Sequence, residues 1–123
     1  MTEDLRLESL RTAELVKVFA DLAVEMEKAN IEARTARYKA LFEQQMRVER
    51  ELKGRDGDQR KALLVLYDYP NMEVRFLAAQ ATRSVAPVEA RRALRRIHQS
   101  KWPQSGPAGM SLWAWDEGIW TPD

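Results

Sequence analysis

The chain has no cysteine. That excludes a disulfide framework, thiolate metal sites and a cysteine nucleophile, and it fits a cytoplasmic setting, where thiols stay reduced. It has a single histidine, His98. One histidine without cysteines cannot build a zinc constellation, nor the paired Glu-x-x-His motifs of a bundle di-iron site. Glycine and proline are scarce, five of each, most of them at Gly54–Gly57 and beyond Lys101. The remainder has few helix breakers and favours an all-α fold. Long apolar runs are also missing. The longest, Ala62–Tyr67, falls far below the ~20 residues of a membrane helix. The N-terminal stretch carries acids at Glu3 and Asp4 and has no apolar core, so it does not read as a signal peptide. A net charge of +1 provides no global field toward nucleic acid or membrane. No glycine-rich phosphate loop or Gly-x-Ser-x-Gly elbow occurs. Ser84, Ser100 and Ser105 have no evident base. No catalytic residue, metal or cofactor is therefore expected, and the chain does not read as an enzyme.

What is present is helical patterning. The 123 residues suggest one domain over 1–123, with 1–11 as a fraying N-terminus. Hydrophobic residues make up 45% of the chain, enough for a core, and the 32% charged residues suit exposed helix faces. Thr12 is positioned to cap a first helix over 12–28, with Glu14 in its first turn and Leu15, Val18, Phe19, Leu22 and Met26 as one apolar stripe. Asn30 is its stop signal. A second helix, 32–53, carries Tyr38, Leu41, Phe42, Val48 and Leu52, with Gln45 inside the stripe. Its charges fall in i,i+4 pairs such as Lys39–Glu43 and Glu51–Arg55, the pattern of a solvated helix face. Asp21 and Glu25 lie one turn apart but read as solvated acids rather than a cation clamp.

Gly54–Gly57 turns the chain. A third helix is expected over 58–68, capped by Asp56 or Asp58. Its centre, Leu63–Leu66, is apolar on most sides, which predicts a helix sandwiched between neighbours. Tyr69-Pro70-Asn71 forms a turn, since Pro70 disfavours helix at Tyr69. Asn71 then caps a fourth helix with the stripe Val74, Leu77, Ala78, Ala81 and Val85. Pro87 opens a fifth, in which Ala90, Ala93, Leu94 and Ile97 face inward.

Leu63, Leu66, Pro70, Val74-Arg75, Ala78-Ala79 and Pro87 together resemble a HEAT repeat running into the next one. The departure is Tyr69, which stands where the pattern has an acid; the acid is one residue earlier, at Asp68. The whole chain also resembles a small family of uncharacterised bacterial proteins of HEAT-like fold. These share a Val-Arg turn and a C-terminal segment seen here as Gly109–Gly118 (GMSLWAWDEG). The resemblance implies a short right-handed α-α superhelix of about three helix pairs. It gives Arg75 a structural role and implies no activity.

After the fifth helix, 100–109 reads as a loop and 110–117 as a short helix ended by Gly118. All four tryptophans, Trp102, Trp113, Trp115 and Trp120, lie in this region. They make 100–123 an aromatic capping tail, or else an exposed patch that binds a partner. The one skewed charge feature is the fifth helix. Arg91, Arg92, Arg95, Arg96 and Lys101 stand against Glu89 alone, a local charge of +4. These arginines either pair with acids elsewhere in the fold or dock an acidic partner, since guanidinium binds carboxylate and phosphate bidentately.

Two functions follow. One is a non-catalytic protein–protein interaction module, whose partner-binding candidates are Arg91, Arg92, Arg95, Arg96, Arg83 and Trp102. In a solenoid the second helices would line a concave face, adding Arg75, Thr82, Arg47 and Glu51. The alternative is a nucleic-acid-binding protein using the basic helix 89–101.

Overall fold

The computed structural model describes residues 6–123. All regular structure among them is helical. A 3-10 turn, Leu7–Ser9, precedes α1 (Thr12–Ile31) and α2 (Thr35–Gly54). A second 3-10 helix, Gln59–Asp68, leads to α3 (Met72–Ala81), α4 (Pro87–His98) and α5 (Ser105–Asp116). No helix among the described residues is long and apolar enough to cross a membrane. The chain divides into two compact units, the first ending at Ala62 and the second running from Leu63 to Asp123.

In the first unit α1 and α2 pack against each other. The buried face of α1 is Leu15, Val16, Phe19, Ala20, Ala23, Met26 and Ala29, and that of α2 is Leu41, Gln45, Val48 and Leu52. Gln45 is tolerated inside because its Nε2 donates to Phe19 O at 3.3 Å, which meets the requirement that a buried amide be hydrogen-bonded. Phe42, expected in the α2 stripe, is instead exposed. Thr12 begins α1 but does not cap it. The Arg11 backbone N–H is taken by the Glu14 carboxylate at 2.8 Å. This bond and the Arg11 guanidinium hold Glu14 below the usual glutamate range.

The helix also runs past Asn30. It ends at Ile31 with Ala33 in the left-handed region, φ 56°. Ala33 N–H donates to Asn30 O and Arg34 N–H to Ala29 O, the paired bonds of a Schellman motif. Of the N-terminal stretch expected to fray, residues 1–5 lie outside the described residues, and residues from Leu7 on are held in place. Leu7 is buried, and Arg55 Nη2 donates to Leu7 O at 3.0 Å and Leu10 O at 2.7 Å. The same guanidinium reaches Thr12 Oγ1 and closes on Glu51 at 2.9 Å. One arginine thus ties the N-terminal segment to the end of α2.

The third helix differs in kind from the expected α-helix. Its buried positions are Arg60, Leu63 and Leu66, while Val65 is 72% exposed. Burial at every third residue puts one face inward at three residues per turn, the geometry of a 3-10 helix. The expected sandwich around Leu63–Leu66 is therefore not what forms. Asp58 does act at the start, accepting from Arg60 N–H at 3.3 Å and from its guanidinium at 2.9 and 2.7 Å. These bonds hold the Asp58 carboxyl below the usual aspartate range.

In the second unit α4 packs against both α3 and α5. Their shared core is Phe76, Ala79, Leu94, Ile97 and Ala108, with Tyr67, Met72, Leu77, Leu112 and Trp115 against it. Burying a side chain such as Leu94 contributes about 1.5–3 kcal/mol. Asn71 caps α3 as expected, its Oδ1 accepting from Val74 N–H at 3.1 Å. The α3 helix stops at Ala81, short of Val85. Pro87 opens α4.

α5 begins at Ser105, inside the stretch expected to be loop. Pro107 lies in its first turn, where a missing N–H leaves no bond unmade. Its end is a second Schellman motif, with Gly118 at φ 74° and Ile119 N–H donating to Ala114 O at 2.9 Å.

Candidate functional site

The basic helix α4 sorts its arginines into two groups. Arg91 is held: its Nη1 bonds Asp116 at 2.7 Å, and its guanidinium lies 4.2 Å from the centre of the Trp115 ring. Arg83, just after α3, is held in the same manner. Its guanidinium lies 3.8 Å from the centre of the Trp120 ring, and its Nε donates to Gln80 O at 2.9 Å. Trp115 and Trp120 meet edge to face at 5.4 Å. The result is a continuous stack, Arg83–Trp120–Trp115–Arg91, that fastens the C-terminal residues to α3 and α4. Ser84 Oγ adds a bond to Asp123 at 2.9 Å. Cation–π pairs at such partly exposed sites contribute about 0.5–1 kcal/mol each. Arg83 and Arg91 are thus spent on internal contacts, and the acid that Arg91 finds comes from α5.

Arg92, Arg95 and Arg96 are exposed, and no ion pair forms at any of them among the described residues. Lys101 is exposed beyond them, and Trp102 is 58% exposed. Of the six partner-binding candidates, the structure therefore leaves Arg92, Arg95, Arg96 and Trp102 available and commits Arg83 and Arg91. The concave-face candidates divide as well: Arg47 is exposed, and Glu51 closes on Arg55 at 2.9 Å. Thr82 is fully buried, with its Oγ1 donating to Ala78 O at 2.9 Å. Arg75 donates through Nε to Tyr69 O, a structural use.

The tail divides likewise. Trp115 and Trp120 are half-buried under arginines, whereas Trp102 and Trp113 are exposed. His98 belongs to the helix junction: its Nδ1 lies 3.0 Å from Ser105 O, and Ser105 Oγ donates to His98 O at 2.6 Å. The His98 ring covers Gly109 so closely that a Cβ there would fall 2.6 Å from it. Asp21 and Glu25 have separate cations, Lys17 at 3.1 Å and Arg37 at 3.3 Å.

Two concavities flank α4. One, about 360 Å³, is a shallow groove along Pro87, Val88, Arg92, Arg95 and Trp115. The other, about 100 Å³, lies near the helix C-terminus. Tyr67, Met72, Ala93 and Ile97 line it, with Arg96 and Trp102 at its edge. Sequence reasoning did not bring Tyr67 and Met72 to this place. The available signal was the small Ala93 one turn before Ile97 on the basic helix, which leaves room beside it. Burial pushes the Tyr67 phenol above its usual range against the opposing bond to Thr82, so it stays neutral at physiological pH.

No curated protein matches the chain. Among solved structures it is similar to the crystal structure of the protein RPA1889 from Rhodopseudomonas palustris CGA009, with 46% sequence identity and a TM-score of 0.94 over 98% of this chain and 100% of that one. The model of a family described as a domain of unknown function, DUF2019, matches residues 13–116, and the chain belongs to that family.

Proposed function

We propose that this chain is a non-catalytic protein-binding module that docks an acidic partner on the exposed face of α4. The observation that carries this reading is the unpaired state of Arg92, Arg95 and Arg96, among the described residues, on a helix whose fourth arginine is paired. Exposed guanidinium groups beside exposed apolar side chains, here Val88 and Trp102, suit a protein surface, which presents carboxylates and apolar groups together.

A phosphate backbone is the second reading, favoured by the same arginines. It is the weaker one, because a nucleic-acid footprint needs a broad basic stripe and the chain's total charge is +1. The HEAT-like reading belongs to the same proposal. It is supported by the Asn71 cap, the tie from Arg75 to Tyr69 O and Pro87 at the start of α4; the 3-10 form of 59–68 departs from it.

Titration of the full chain with an acidic peptide and, separately, with duplex DNA tests the proposal. The peptide should bind, and the Arg92→Glu/Arg96→Glu variant should not bind it. Duplex binding with a steep loss at higher salt, without peptide binding, would establish the nucleic-acid reading instead.

A further inference from the structure

Ala93, Ile97 and Ser100 follow one another at i, i+4 and i+7 along α4 and the turn beyond it, so they lie on one face. Tyr67 and Met72, both packed on the Phe76–Leu94–Ile97 core, form the facing wall. Because Ala93 is small, the space between is not filled, and a pocket of about 100 Å³ opens there. The neutral polar groups around it are already used, and Arg75 uses its Nε. Tyr67 OH bonds Thr82 Oγ1 at 2.6 Å, Ser100 Oγ donates to Ile97 O at 2.6 Å, and Arg75 Nε donates to Tyr69 O. Tyr67, Met72, Ala93 and Ile97 therefore offer an apolar surface. The cations beside it are Arg96 and Arg75, neither in an ion pair among the described residues, with the exposed Trp102 ring next to them.

An apolar cavity of about 150 Å³ holds a benzene molecule, so this smaller pocket fits one branched aliphatic side chain. A cationic rim repels lysine and arginine beside that side chain and favours a carboxylate, which guanidinium binds through two hydrogen bonds. A buried apolar anchor ringed by polar contacts is also the arrangement that concentrates binding energy at protein interfaces.

We propose that this pocket seats a single leucine-like side chain from an acidic segment of a partner protein, with a neighbouring carboxylate on Arg96 and Trp102 against the segment. The inference rests on the reading of α4 as a protein-docking face and adds the anchor that the arginines alone do not supply.

The test is a titration of the full, 15N-labelled chain with a short peptide of aspartate and glutamate around one central leucine. The same peptide with serine at the centre is the comparison. The leucine peptide should shift the Trp102 indole and the Ala93 and Ile97 amides, and should bind about tenfold or more tightly than the serine peptide. Arg96→Glu, an exposed change, should weaken the leucine peptide. Ala93→Met, which fills the pocket, should bring the two peptides to equal affinity. Equal binding of both peptides to the wild-type chain overturns the pocket and leaves the acidic-docking reading standing. Binding of neither peptide, with duplex DNA bound instead, overturns both. Self-association of the chain that Ala93→Met abolishes would assign the pocket to a second copy and also overturn the proposal.

Discussion

In the α1–α2 unit Lys17, Arg37 and Arg55 each close on an acid of their own helix or its neighbour; on α4, among the described residues, three of the four arginines do not. Lys17 meets Asp21, Arg37 meets Glu25, and Arg55 meets Glu51 while also holding two backbone carbonyls. On α4, among the described residues, only Arg91 closes on an acid, and that acid comes from α5. The difference follows from where the acids lie. The first unit interleaves both signs at helical spacing, which gives Lys17 and Arg55 an acid one turn away and Arg37 an acid on the adjoining helix. α4 has one acid, Glu89, in its first turn, against four arginines, and among the described residues Arg92, Arg95 and Arg96 form no ion pair. Exposed pairs contribute at most about 1 kcal/mol each. The contrast therefore concerns surface left available for binding more than stability.

The largest expected effect sets the scale for both units. Leu66→Ala should destabilise by about 2–5 kcal/mol, since Leu66 is buried, whereas Val65→Ala next to it should stay within about 0.5 kcal/mol. Denaturant melts of the two variants check this. Equal losses would mean that 59–68 does not present one face per three-residue turn.

Arg55→Ala should cost about 2–3 kcal/mol, because it removes a half-buried charged group bonded to Leu7 O, Leu10 O and Glu51. The double change Arg92→Ala/Arg96→Ala should leave the melt within about 0.5 kcal/mol while abolishing binding of the acidic peptide. A stability loss from the double variant comparable with that of Arg55→Ala would erase the distinction between committed and free arginines.

Next come the stacked arginines. Arg83→Ala or Arg91→Ala should each lower stability by about 1 kcal/mol. Each should also change the near-ultraviolet circular dichroism of the tryptophans, because the edge-to-face pair Trp115–Trp120 lies between them. In the other direction, Ala33→Gly should stabilise the first unit by about 1 kcal/mol, because a left-handed backbone strains any residue with a Cβ. A thermal melt that rises for Ala33→Gly and falls for Ala33→Val would verify this.

The smallest effect is on acid stability. Asp58 has a lowered folded-state pKa through Arg60. Its contribution is present above the ordinary aspartate pKa and disappears as pH falls through the lower folded-state value. Asp58→Asn should therefore reduce stability at neutral pH and flatten the acid limb of the stability curve. An acid limb of unchanged slope would count against the Asp58–Arg60 pair.

Several features were legible in the chain as written. Asn71 capping α3, Pro87 opening α4 and Gly118 ending α5 are local choices, decided by backbone dihedrals and a side chain within three residues. Leu15, Phe19 and Met26 of the α1 stripe were equally readable, as was a place for Gln45 within that of α2, whereas Val18 and Leu22 are only half-buried and Val16, Ala20, Ala23 and Ala29 are covered instead. The 3-10 form of 59–68 was not legible, because four consecutive apolar residues carry no periodicity to distinguish it from an α-helix. Nor was the exposure of Phe42 and Val65, because hydrophobicity does not determine which side of a helix is covered. The six binding candidates were chosen for charge and aromatic character alone, and the fold then divided them.

Composition and spacing by themselves determined that this protein is helical, that it has no thiol chemistry, and that 89–101, on α4 and the turn beyond it, carries a charge of +4 in a chain of total +1. Tertiary structure decided which charges remain available. It set Arg83 and Arg91 against Trp120 and Trp115, left Arg92, Arg95 and Arg96 in solvent, and placed Tyr67 and Met72 opposite Ala93. Helix identity depends on neighbours within a few residues. The partner of a long, flexible guanidinium, and the empty volume beside a small alanine, depend on residues distant in sequence that only folding brings near.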